Sequence, residues 1–275
     1  GSAATGWPTV SPSRSLVMVV AHPDDDAYGC GGTVALHADD ASFRFVLVHA
    51  TDGAQGDIRP GFPATRESLG SIRRQEDARA WAALGRVPDR HEWLDYPDGR
   101  LDAVPFDDLV AKVADIIRQE RPTVVVTFGP DGITGHPDHV RIGMATDTAF
   151  HRVRAEGGPG LDRLLHGALP QSVFERWNAT RARIGLPTWD PASVYDLRGV
   201  PDEEIAVSVD VSSVADRIVA GLRQHDSQLH VIANAGVSDE MWAKSVSMEH
   251  LVMAWPPRLP GEARLTSMFE GLDEV

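Results

Sequence analysis

Leu16-Val17-Met18-Val19-Val20-Ala21-His22-Pro23-Asp24-Asp25-Asp26 is the stretch on which the reading of this chain turns. Its first five residues are apolar without the alternation of a half-exposed strand. Such a run suits a central parallel strand covered on both faces, and strands of that kind carry their ligand-binding groups at their carboxyl ends. One imidazole and three carboxylates stand at that end. Adjacent carboxylates repel one another and cost stability unless a cation neutralises them, and a His and an Asp three residues apart can share one metal ion. A metal site is one reading. A solvated Asp-rich turn is the other, since Pro23 favours a turn and the helix dipole favours Asp at a helix N-terminus. The stretch alone leaves both open.

Beyond this stretch, strands and helices alternate. Gly29, Gly31 and Gly32 open a helical segment, Thr33 to Ala38, and permit close approach of helix to sheet. They do not complete a dinucleotide fingerprint, because Val34 stands where its third glycine belongs. Phe43 to His49 reads as a second strand ending in the polar turn Ala50-Thr51-Asp52-Gly53. Leu69, Ile72, Ala78, Trp81 and Leu84 recur at helical spacing, with Gly85 as a stop. The charges of that helix, Arg73, Arg74 and Glu76, read as a solvated face. A short strand, His91 to Leu94, precedes the turn Asp95 to Gly99. A helix from Phe106 to Glu120 leads to a further apolar strand, Thr123 to Phe128, and a helix then runs to about Arg154.

This repeated βα order predicts an α/β fold, a Rossmann-like three-layer sandwich with a mostly parallel central sheet. Residues 15–155 form the expected catalytic core. Residues 156–275 form a smaller C-terminal elaboration that completes the sheet and covers the site. Within it, 156–204 reads as loops or a lid, Ile205 to Val209 as a strand and Val211 to His225 as a helix. An irregular tail is expected beyond Asn234, anchored by Trp242, Met253 and Trp255.

Composition narrows the function. The 275 residues include 40 acidic and 26 basic side chains, a net charge of −14, which argues against nucleic acid as a partner. Lys112 and Lys244 are the only lysines and neither follows a glycine, so a GxxxxGK phosphate loop is excluded. Cys30 is the single cysteine, which rules out an intrachain disulfide. No apolar run is long enough to span a bilayer. Gly1-Ser2 reads as a cloning remnant, so a leader removed beforehand stays open, and a cytoplasmic setting is the expectation. Oligomeric state is not legible.

The second motif decides the first. His136-Pro137-Asp138-His139 also follows a buried strand, so in a parallel sheet both motifs emerge on one edge. His22, Asp25 and His139 then supply two nitrogens and one oxygen with positions left for water and substrate, the pattern of a catalytic zinc. Fe(II) and Co(II) fit the same ligands, and iron oxygenases also use two His and a carboxylate, although the second motif suits them less well. Asp24 or Asp26 is free to act as general base for metal-activated water, and alternation around the turn favours Asp24. His136 is left to stabilise an oxyanion or protonate a leaving amine as imidazolium, with Asp138 orienting it. His49, His91, His151 and His166 read as surface or packing residues.

The two motifs, His22-Pro23-Asp24-Asp25 and His136-Pro137-Asp138-His139, with the βα pattern between them, closely resemble the LmbE-like (PIG-L) zinc-dependent N-deacetylases. The resemblance implies a Rossmann-like hydrolase acting on amino sugars, including mycothiol-pathway intermediates and conjugates. It implies His22, Asp25 and His139 as zinc ligands, Asp24 as general base and His136 as the group facing the oxyanion. It extends less specifically to Arg73 and to Asp98 in the Pro-Asp-Gly turn as substrate-binding positions, and to His225-Asp226-Ser227-Gln228. Two departures stand out: Asp26 occupies a position commonly Glu, and Thr134 stands where some relatives carry a carbonyl-polarising Tyr. The function expected is removal of an N-acetyl or other N-acyl group from an amino sugar such as an N-acetylglucosaminide. An amidase acting on a larger thiol or peptide-like conjugate and a non-catalytic sugar- or metal-binding protein are the alternatives.

Overall fold

A computed structural model describes residues 14–233 and 237–272; the polar lead before Arg14, residues 234–236 and the last three residues lie outside the described residues. The elements in chain order are β1 (Arg14–Val20), α1 (Asp25–Leu36), β2 (Phe43–His49), α2 (Arg66–Leu84), β3 (Arg90–Trp93), α3 (Phe106–Glu120), β4 (Val124–Phe128), α4 (Pro137–Ala155), β5 (Arg163–Gly167), α5 (Gln171–Arg183), β6 (Ile205–Asp210), α6 (Ala215–Arg223), α7 (Leu229–Ile232), α8 (Asp239–Ser245) and β7 (Met248–Trp255). The strands form one sheet in the order β3-β2-β1-β4-β5-β7-β6. Every neighbouring pair from β3 to β5 is parallel, and β7 runs antiparallel to both of its neighbours.

The unalternating apolar run of β1 is explained by its place. Val17 pairs with Val46 on one side and Val125 on the other, and Leu16 to Val20 are all buried. Burying each such side chain contributes about 1.5–3 kcal/mol. Helix α3 packs on α4, which lies against β1 and β4, while α1, α2, α6 and α8 pack as a second group. The chain leaves β1 towards β2 and β3, then returns to place β4 on β1's other side. That reversal between β1 and β4 opens a crevice at their carboxyl ends, and both His-Pro-Asp motifs lie there.

Three expectations are corrected. The segment 156–204 is not only loops: it holds β5, a sheet strand with Leu164 and Leu165 buried, and the helix α5. The expected irregular tail is instead the helix α8 and the strand β7, which lies inside the sheet between β5 and β6. Only pairing with strands distant in sequence makes a strand of Met248–Trp255, whose short apolar run is bounded by Glu249-His250 and Pro256-Pro257. The first helix begins at Asp25 rather than Thr33, and it breaks at Cys30. The buried Glu249 carboxylate of β7 caps the restart by accepting from the amides of Gly32 and Thr33 and from the Thr33 hydroxyl. A Cβ on Gly143 of α4 would stand 2.5 Å from the Phe128 carbonyl oxygen of β4, so glycine there sets how closely that helix sits on the sheet.

Among the described residues no helix is long and apolar enough to cross a membrane.

Candidate metal centre

β1 ends at Val20, and the chain turns at once. His22 and Asp25 are three residues apart with the turn closed by the His22 amide donating to Asp25 Oδ2 at 2.8 Å. Asp24, between them, sits at φ 92°, a left-handed backbone that non-glycine residues rarely adopt and that concentrates at functional sites. Its amide donates to Asp26 Oδ1 at 3.1 Å.

Across the crevice, the loop after β4 brings His136 to the N-cap of α4, with Pro137 in the first helical position and His139 in the first turn. His136 Nδ1 accepts from the Asp138 amide at 3.0 Å. A nitrogen that accepts an N–H carries no proton, so the neutral ring holds its proton on Nε2. Burial, reinforced by neighbouring His22 and His139, pushes this imidazole down to about 4. It is neutral at neutral pH, which corrects the expectation of an imidazolium.

Three donor atoms converge. His22 Nδ1 lies 3.4 Å from Asp25 Oδ2, His139 Nε2 lies 3.2 Å from the same oxygen, and the two nitrogens are 3.3 Å apart. Donors about 2.0–2.1 Å from one tetrahedral zinc stand about 3.3 Å from one another. The opposite nitrogens are engaged elsewhere. His22 Nε2 faces Asp98 Oδ1 at 3.0 Å and Asp138 Oδ2 at 3.1 Å, and His139 Nδ1 faces the Gly132 carbonyl at 3.0 Å. Each acceptor favours the tautomer that carries the ring proton on its own side, which in the neutral ring turns the other nitrogen's lone pair towards the triangle. His22, Asp25 and His139 therefore form a set that can hold a metal ion, and the chemistry of the donors fits zinc.

The structure reassigns two partners. Asp138 does not orient His136 through its carboxylate; that carboxylate grips His22 and accepts from the amides of Gly99 and Leu101. Arg73 and Glu76 are not on a solvated face but buried, because polar groups of neighbouring loops need them. Arg73 donates to the carbonyls of Pro23 and Gly53 and to Asp24 Oδ2 at 3.2 Å. Glu76 accepts from the Ser227 amide and hydroxyl, which ties in the His225 to Gln228 segment. Burial pushes the Asp24 carboxyl up to about 8, against the pull of Arg73 and with Asp25 adding to the rise. Asp26 is buried and accepts from Trp81 Nε1 at 2.6 Å, so it serves the scaffold beneath the site.

Tyr195 carries no signal in the sequence. Its amide donates to the Thr134 carbonyl at 2.8 Å, and its exposed ring meets His136 edge-on at 5.1 Å. Beside Asp98 opens a cleft of about 750 Å³ whose lining includes Asp52, Arg74, Asp95, Tyr96 and Arg100. Of the histidines read as packing residues, His166 is buried against Asp147 and His151 lies edge-on to Trp255. His49 and His91 belong to a second buried group.

Residues 17–150 match the family described as PIG-L: GlcNAc-PI de-N-acetylase. The 1D-myo-inositol 2-acetamido-2-deoxy-alpha-D-glucopyranoside deacetylase of Acidothermus cellulolyticus is 32% identical over 95% of this chain and 96% of its own length. Two solved structures share the fold. They are 4-carboxy-2-hydroxymuconate hydratase GalB from Pseudomonas putida (TM-score 0.61, 19% identity, 91% of this chain and 100% of that one) and N,N'-diacetylchitobiose deacetylase from Pyrococcus horikoshii (TM-score 0.56, 21% identity, 90% and 84%). With both His-Pro-Asp motifs placed on one crevice of that fold, and a relative alike along almost its whole length, this chain belongs to the PIG-L family.

Proposed function

We propose that this protein is a metal-dependent hydrolase that removes the N-acetyl group from an amino sugar, an N-acetylglucosaminide with a polar aglycone. The observation that carries the reading is the triangle of donor atoms from His22, Asp25 and His139, with Asp24 next to Asp25 in the same turn. The relative named for an acetamido-glucopyranoside of myo-inositol supports the substrate class.

His22 Nδ1, Asp25 Oδ2 and His139 Nε2 would hold the cation; zinc suits them best, and Fe2+ or Co2+ fits the same set. When bound, the metal supplies a Lewis acid for the amide carbonyl and makes water acidic near neutral pH. Asp24 accepts the proton of the attacking water and returns it to the departing amine nitrogen. Burial raises its carboxyl, Arg73 pulls it back, and a cation held at the neighbouring triangle would favour the ionised form that can accept a proton. Arg73 fixes the Asp24 carboxylate in position. His136, neutral and with its proton on Nε2, donates to the carbonyl oxygen as negative charge develops there. Asp138 and Asp98 hold His22 in its ligating tautomer.

The cleft beside Asp98 offers the carboxylates of Asp52 and Asp95 and the guanidinium groups of Arg74 and Arg100 to sugar or polyol hydroxyls. That lining suits a polyhydroxylated aglycone better than an apolar one. The reading is tested by amine release from N-acetylglucosaminides carrying inositol, sugar and thiol-containing aglycones, with added zinc and with chelator. Turnover is expected to be highest on the polyol glycoside, and no amine from any member of the panel would sink the proposal.

A further inference from the structure

Helices α1 and α2 and strands β2 and β3 contribute a second group of titratable side chains that the proposed reaction does not use. His49, the last residue of β2, and Asp77, in the middle of α2, are fully buried, while His91 of β3 keeps 22% of its side-chain exposure. His49 Nδ1 and His91 Nε2 stand 2.8 Å apart, a distance that one proton bridges. The other nitrogen of His49, Nε2, faces Asp26 Oδ1 at 3.4 Å and Asp77 Oδ1 at 3.6 Å without a hydrogen bond to either.

No N–H group donates to either oxygen of Asp77, whose carboxyl burial and the neighbouring Asp26 carboxyl hold well above its usual range, and neither ring nitrogen of buried His225 has a hydrogen-bond partner, its surroundings including Asp26 and His49. Buried polar atoms in folded proteins are paired in about nine cases of ten. Leaving one unpaired costs about 1–3 kcal/mol, and a buried carboxylate costs more. Here the orphans are concentrated around one carboxylate, and a second carboxylate, Asp26, faces the same imidazole nitrogen. A positive charge among them offsets that cost.

We propose that His49, Asp77 and His91 bind a second divalent cation of the zinc class, separate from the one at the catalytic triangle. One donor atom from each residue lies within 4.8 Å of the others, the only such group among the described residues that does not include His22. Two imidazoles and one carboxylate favour zinc, cobalt or nickel over calcium and magnesium, which take oxygen ligands. β3 is the outer strand of the sheet and its His91 is partly exposed, which gives an ion access. Trp93 stacks on His49 with ring centroids 4.4 Å apart, and the Arg74 guanidinium lies over Trp93. Asp26 joins the two centres: its Oδ1 accepts from the Asp24 amide and faces His49. A cation there braces the turn that carries Asp24 and Asp25.

Zinc-loaded full-length protein, freed of excess metal by gel filtration, is to be assayed for metal by mass spectrometry beside two variants. The wild type is expected to keep two equivalents per chain. The double variant His22→Ala/His139→Ala, which lacks both imidazoles of the first centre, is expected to keep one, and Asp77→Asn is expected to keep one. X-ray absorption of the zinc in the double variant is expected to show scattering from two imidazoles, a readout that stands even if Asp77→Asn fails to fold. One equivalent in the wild type with none in the double variant would overturn the proposal and mean that a proton neutralises the group. Two equivalents retained by Asp77→Asn would also overturn it.

Discussion

Asp138 Oδ2 lies 3.1 Å from Nε2 of His22, a contact between residues 116 positions apart in the chain. The same carboxylate accepts from the amides of Gly99 and Leu101, so it links the turn that carries Asp98 to one of the proposed metal ligands. Replacing it by Asn removes the negative charge that fixes the His22 tautomer and leaves one of those amides facing an NH2 group. Asp138→Asn is expected to weaken zinc binding by about 10–100-fold with the fold retained. Competition with a chromophoric chelator measures this, and unchanged affinity would mean that Asp98 alone orients His22.

In the proposed reaction Asp24 moves the proton and takes no part in holding the metal. Asp24→Ala is expected to keep its zinc and lose about 10²–10⁴-fold in kcat. Metal content and turnover measured on the same preparation separate this from loss of the metal. Turnover like that of the wild type would remove Asp24 from the role of base.

Tyr195 meets His136 edge-on and is held by the Thr134 carbonyl, in a loop from the C-terminal third of the chain. With its ring exposed beside the crevice, it is positioned to contact substrate. Tyr195→Ala is expected to lower kcat/KM roughly tenfold with zinc content unchanged, through poorer substrate positioning. Tyr195→Phe separates the ring from the hydroxyl: near-normal kcat/KM assigns the effect to the ring.

Glu249 makes stability depend on pH. Burial pushes its carboxyl from 4.5 up to about 7, against the pull of hydrogen bonds from Thr33 and Gly32. A folded-state pKa above the unfolded value means that the folded protein holds the proton more tightly. The resulting stability is fully present below about pH 4.5 and is lost as pH rises through about 7, an effect on the order of 3 kcal/mol. Urea unfolding at pH 5 and pH 8 is expected to show this decline in the wild type and a smaller one in Glu249→Gln. Equal declines would assign the dependence to other groups.

What the sequence made legible is what is local in it. An apolar run entering His-Pro-Asp-Asp, and a second one followed by His-Pro-Asp-His, located the crevice and the side chains that converge in it because strand, turn and helix start lie within a few positions of one another. The partners of those residues are set by the topology. Nothing near Asp138 indicates that it serves His22 rather than His136, and nothing near Arg73 shows that it turns inward to the carbonyls of Pro23 and Gly53. His49, Asp77 and His91 look unremarkable one by one and acquire meaning only where β2, α2 and β3 meet. Strand β7 is a strand only because β5 and β6 receive it on either side. Asp26, which the sequence offered beside Asp24 as a candidate base, accepts from Trp81 and the Asp24 amide and so belongs to the scaffold.

The fold is shared with a hydratase as well as with a deacetylase, so architecture alone does not choose the reaction. The most direct test is acetate release from an N-acetylglucosaminyl inositol by chelator-stripped protein, before and after zinc is restored. No release is expected from the stripped protein, and on restoration one acetate for each free amine formed. Release that survives complete removal of metal, or a zinc-restored protein that frees no acetate from this or any related glycoside, would contradict it.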